Sequence, residues 1–174
     1  RGLGDVYKRQ HHMMDERTQE EPRAWDLEGA THRAGFKIEE LVEFVRAASP
    51  SEEDFGQALS QLHQALDKAA DKVAKKTPAQ QDLIGQVDAL IDTLYFTYGS
   101  FVLMGVDPER IFDIVHHANM GKIFPDGKAH FDPVTHKILK PDDWEEKYAP
   151  EPAIKKELQR QLKAYERHKE RNRQ

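Results

Sequence analysis

The chain has 174 residues, of which 33% are charged and 9% aromatic, and a formal net charge of −5. That length supports one domain with a real core, and the negative balance gives no general attraction to nucleic acid or to an anionic membrane. Cysteine is absent, which excludes disulfides and thiolate metal sites and fits a cytoplasmic protein.

The first residues, RGLGDVYKRQHH, lack the apolar segment of a secretory signal and read as unrelated to the rest of the chain. Residues 1–14 are therefore expected to be a non-native or disordered leader, with a natural start at Met13 or Met14. Residues 15–174 then form a single domain with a core at 34–122, a lid or arm at 123–150 and a terminal helix at 151–172. Residues 15–33 are polar and weakly periodic, with Trp25 and Leu27 as docking points for a loose segment.

The first firm helix is predicted over 34–48, where Ile38, Leu41, Val42, Val45 and Ala48 make an apolar arc. Glu39, Glu40 and Glu43 share an adjoining arc, and Ser49-Pro50-Ser51 ends the helix. Ser51 is an N-cap candidate ahead of an acidic turn, Glu52-Glu53-Asp54. Phe55, Leu59, Leu62, Leu66, Ala69 and Val73 then step by three and four, predicting an amphipathic helix that ends near Lys75-Lys76. Thr77-Pro78 is expected to open a central helix running to about 104.

That helix carries the most apolar run of the chain, VDALIDTLYFTYGSFVLMGV at 87–106. Asp92, Thr93, Thr97 and Ser100 interrupt it, so it reads as a buried bundle helix rather than a membrane span. Asp88 and Asp92 lie four apart on one face, amid apolar residues on most other sides. Two buried carboxylates repel each other and lose hydration, so they need protons or cations. No Lys or Arg follows Lys76 within the helix, which favours a metal over an ion pair. The helix is also too apolar for one layer of partners, which points to a homodimer or a dimer of dimers that covers it from two sides.

Gly105 is a C-cap candidate, and Asp107-Pro108-Glu109 begins another helix, closed by Gly121. Residues 122–144 are short extended pieces around a Pro-Asp-Gly turn and are expected to pair as a small hairpin. The last helix is highly charged, with few apolar positions (Ile154, Leu158, Leu162 and Tyr165), and reads as solvated. The fold class is all-α: a four-helix-bundle core with a small extended or hairpin segment and a C-terminal helix.

Glu39, Glu40, Glu43, Asp88 and Asp92 are five carboxylates on two helices whose apolar faces favour packing. Brought together they make an oxygen-rich, negative cleft suited to Mg²⁺ or Mn²⁺. A water bound to such a cation is a better nucleophile near neutral pH, which suits hydrolysis of a phosphoanhydride. Asn119 and Lys122, three apart at a helix end, offer an amide and an ammonium to phosphate oxygens. The bland reading of the Glu-rich face is a solvated surface.

The segments EELVE at 39–43 and DALIDTLYFTYGSFVLMGVDPERIFDIVHHANMGK at 88–122 resemble the all-α nucleoside triphosphate pyrophosphohydrolases of the MazG-like superfamily, in particular the phosphoribosyl-ATP pyrophosphohydrolase-like subgroup. The family motif is a Glu-Glu-x-x-Glu helix, a Glu-x-x-Asp helix and an Asn-x-x-Lys segment. The resemblance implies cleavage of a (deoxy)nucleoside triphosphate to monophosphate and pyrophosphate. It implies that Glu40 and Glu43 bind metal with Asp92, that Glu39 orients or deprotonates the attacking water, and that Asn119 and Lys122 hold phosphates. Two features depart from the family: Ala89 stands where the motif has Glu, with Asp88 one residue earlier, and the interval from Glu43 to Asp88 holds a whole extra helix.

Residues 122–144 are then either a lid or a packed arm buttressing a neighbouring subunit. As a lid, Lys128, Lys137 and Lys140 reach triphosphate oxygens and Trp144 stacks on a base. Tyr95, one turn beyond Asp92, either edges the pocket or belongs to the core. Two further readings are a non-catalytic nucleotide-binding or oligomeric regulatory module, which Ala89 favours, and a di-iron or histidine-type hydrolase built on Asp113, His116 and His117. The latter lacks the paired Glu-x-x-His helices of di-iron bundles.

Overall fold

The computed structural model describes residues 3–15, 18–19, 21–76, 82–134 and 137–173, without the side chains of 3–7 and 9. The fold is all-α. Its helices are α1 (Leu3–Met14), α2 (Leu27–Ala48), α3 (Glu52–Ala74), α4 (Leu83–Met104), α5 (Glu109–Met120), α6 (Trp144–Tyr148) and α7 (Glu151–Arg171). No described helix is long and apolar enough to cross a membrane. The chain divides into two compact units, Glu21–Ile91 on the one hand and Arg1–Glu20 with Asp92–Gln174 on the other.

In the Glu21–Ile91 unit, α2 and α3 pack as a helical hairpin. Asp26 caps α2 by accepting from the Gly29 amide at 2.7 Å, and this cap starts the helix two turns before the predicted position 34. Those two turns, LEGATHR, carry too few apolar residues to show a helical period. Ser51 caps α3 as expected: its Oγ accepts from the Asp54 amide at 3.1 Å and donates to the Asp54 carboxylate at 2.5 Å. Arg46 pairs with Glu52 across the turn and lies 4.9 Å from the Phe55 ring centroid, so the connection is tied at both ends. The expected opening of the central helix at Thr77-Pro78 lies outside the described residues. The described part starts at Leu83, with Asp82 accepting from the Gly85 amide at 3.0 Å. The Gln86 amide clamps the backbone of Trp25, accepting from its N–H at 2.8 Å and donating to its C=O at 3.0 Å.

In the other unit, α4 ends at Gly105, whose φ of +69° is the left-handed cap that glycine adopts without a Cβ penalty. Val106 N–H reaches back to Phe101 O and Gly105 N–H to Val102 O, which closes the last turn. Asp107 accepts from the Glu109 amide at 3.1 Å, and α5 begins there. Around α5 pack α1, α6 and α7. Leu3–Met14, within the stretch expected to be a non-native or disordered leader, is helical, and Gln10 Oε1 lies 3.3 Å from His116 Nδ1 of α5.

The terminal helix is more firmly held than a solvated one. Glu157 of α7 is only 7% exposed, and Gln161 clamps the Asp107 backbone, accepting at 3.0 Å and donating at 2.9 Å. Leu158, Leu162 and Tyr165 stay exposed. Between α5 and α6 the hairpin is reduced to one antiparallel bridge, Phe131 with Ile138, among the described residues. The Pro-Asp-Gly turn forms, with Gly127 at φ +79°.

Candidate functional site

Glu39, Glu40 and Glu43 sit on α2 as expected and are exposed. A helix places Glu39 and Glu43 one turn apart on one face, with Glu40 beside them. Asp88 and Asp92 are likewise on α4, one turn apart, but the structure corrects their burial. Both are exposed in the single chain, and α4 has no buried residue. Apolar side chains expected to surround them are themselves largely uncovered, with Ile84 82% and Ile91 57% exposed. Among the described residues no three His, Asp or Glu side chains come together as a metal-holding group. Tyr95, exposed, meets the edge of Phe96 with ring centroids 6.5 Å apart.

Of the residues expected to hold phosphates, all in one unit, Asn119, Lys122 and Lys140 come together. Lys122 Nζ donates to Asn119 Oδ1 at 2.9 Å, which joins the amide and ammonium at the end of α5. Lys140 arrives from the segment before α6. Its Nζ lies 3.9 Å from the Trp144 ring centroid, Lys122 Nζ lies 5.9 Å from it, and Lys140 also pairs with Glu145 at 2.8 Å. Lys137 and Lys128 are exposed on the extended segment.

Trp144 does not offer its ring to a base. It is 5% exposed, and its indole N–H donates to the Ala118 carbonyl at 2.9 Å. A tryptophan with its polar atom satisfied is an anchor. Four residues on, Tyr148 lies on Gly121, where an added Cβ would stand 2.4 Å from the Tyr148 Cγ. Gly121 has φ −65°, so its place here is a matter of space, not of backbone freedom. Sequence reading missed α6, a single turn with too few residues for a period. The available signal was a lone Trp following Pro141-Asp142-Asp143.

The histidines of α5 are taken up in packing: His116 faces Gln10, and the His117 ring lies 5.4 Å from that of Tyr148. A cleft of about 320 Å³ beside them is lined by Asp113, His117 and Tyr148 among others. The sharpest electrostatic feature lies on α7. Arg160 donates to both Glu157 oxygens, at 2.6 and 2.7 Å, and Gln161 to one at 2.9 Å. These bonds, Arg160 first, hold the Glu157 carboxyl down to about 2 against the opposing effect of burial.

Residues 7–119 match the family described as phosphoribosyl-ATP pyrophosphohydrolase. The chain is also similar to the crystal structure of a protein from Exiguobacterium sp. 255-15 provisionally assigned as an NTP pyrophosphohydrolase. The two are 37% identical, with a TM-score of 0.85 over 95% of this chain and 98% of that one. No curated protein matches the chain. The matched span holds all five helical carboxylates and Asn119, and ends three residues before Lys122.

Proposed function

The chain belongs to the phosphoribosyl-ATP pyrophosphohydrolase family, and on that premise we propose that it hydrolyses (deoxy)nucleoside triphosphates to monophosphate and pyrophosphate with Mg²⁺ or Mn²⁺. The observation that carries this reading is the family match across both acidic helices, joined to the Asn119–Lys122 pair at the end of α5.

The donor set fits a hard cation, because Glu40, Glu43, Asp88 and Asp92 present only carboxylate oxygens. A divalent ion bound by them would neutralise phosphate charge and acidify water. Glu39 orients the attacking water and takes its proton. The water oxygen bonds to the α-phosphorus, the α–β bridge breaks, and pyrophosphate leaves. Asn119 donates its amide N–H to phosphate oxygens, Lys122 and Lys140 supply positive charge, and Lys137 and Tyr95 approach the nucleotide from the rim. We place this chemistry in the cytoplasm, in a homodimer or dimer of dimers that covers α4. Asp88 and Asp92 acquire the surroundings foreseen from the sequence only in that assembly.

The test is pyrophosphate release from a panel of ribo- and deoxyribonucleotides with Mg²⁺ or Mn²⁺. At least one nucleotide is expected to turn over, and Glu43→Gln to slow it about a hundredfold or more with helicity unchanged. Ala89, in the place of a motif Glu, favours a second reading: a binding or regulatory module that kept the fold. Tight nucleotide binding without any product would establish that reading instead.

A further inference from the structure

We propose that Trp144 is a positioning residue for phosphate binding: its buried ring is the platform that aims Lys122 and Lys140 at the substrate's polyphosphate chain. The inference rests on the reading that Asn119 and Lys122 hold phosphates. Trp144 is among the few buried residues of the described chain, and Ala118, which accepts its indole N–H, is another. Ala118 directly precedes Asn119, and Gly121, under the Tyr148 ring, directly precedes Lys122. The short α6 is therefore fastened to the end of α5 just before each member of that pair.

Two lysines distant in sequence stand at one aromatic ring. The ring's negative face attracts each ammonium, while the ammoniums repel each other. Asn119 and Glu145 offset that repulsion in the free chain. A pyrophosphate or triphosphate group, with several negative charges along a short chain, offsets it more fully. Lys140 then exchanges an exposed carboxylate for phosphate oxygens, and the ring keeps both ammoniums from swinging into solvent. Trp144 touches no reacting atom, so its loss should weaken binding and spare the chemical step.

The chain has two tryptophans, so Trp25→Phe leaves Trp144 as the sole indole fluorophore. Titration of that variant with inorganic tripolyphosphate is expected to shift Trp144 emission saturably, and Lys122→Met with Lys140→Met to abolish the shift. In turnover, Trp144→Leu removes the π face and is expected to raise KM about tenfold with kcat within about twofold. Trp144→Phe keeps a ring and is expected to recover most of the loss. The proposal is overturned if nucleotide is hydrolysed while Trp144 emission ignores saturating tripolyphosphate, or if Trp144→Leu lowers kcat and leaves KM alone. The emission measurement needs no substitution at Trp144, so a misfolded Trp144→Leu does not spare the proposal. A saturable emission shift without turnover of any nucleotide supports the platform and contradicts the hydrolase.

Discussion

Single side chains hold this protein together at points where little else is buried. Glu157 is the clearest case, with its carboxylate bridged by Arg160 and Gln161 while Gln161 also grips the Asp107 backbone. Its pKa falls from the ordinary 4.5 to about 2 in the folded chain. A lowered folded pKa means the carboxylate's contribution to stability is complete above about pH 4.5 and is lost as pH falls toward 2. Amide protection factors along α7 are therefore expected to fall in that window. In Glu157→Gln that acid-induced loss of protection should shrink, and protection should already be lower at neutral pH. An unchanged acid profile in the variant would move the effect elsewhere. Gly121 shows a different single-residue logic, since its missing Cβ is the space that Tyr148 occupies.

At the scale of elements, the parts that were legible in the sequence are those with local causes. Ser51 as cap, Gly105 as left-handed terminator and Asp107-Pro108 as helix opener each act through neighbours a few residues away. The parts that were not legible depend on distant partners. The first two turns of α2 have no apolar period, α6 is too short to have one, and α7 looked solvated because its anchor is a buried charge rather than an apolar stripe. For the candidate site, the sequence carried the residue types and the pairing of Asn119 with Lys122. For Trp144 it left a base platform and a packed arm both open, because an aromatic near lysines reads as either, and the ring is packed.

Asp88 and Asp92 are exposed in the single chain for a related reason: periodicity shows that α4 is apolar, not which surface covers it. Phe96, Val102, Leu103 and Met104 are all exposed in one chain. Apolar exposure on that scale marks an interface. Light scattering on the eluting protein should give at least twice the chain mass of 20.1 kDa, and Leu103→Glu should lower it. A wild-type species at the single-chain mass would leave α4 unexplained.

For the whole molecule, family membership and an all-α fold supply the frame on which the chemistry is placed. The chain carries the five candidate carboxylates on α2 and α4 and gathers Lys122 and Lys140 at one ring. On the proposed reading an anionic substrate would use both: cations held by the first set and direct contact with the second. The product pattern tests this most directly. Phosphorus NMR of a turned-over nucleoside triphosphate, with Mg²⁺ in oxygen-18 water, should show pyrophosphate and monophosphate in equal amounts, with the label on the monophosphate. Orthophosphate with nucleoside diphosphate, label on the pyrophosphate, or a triphosphate left intact across the nucleotide panel would contradict it.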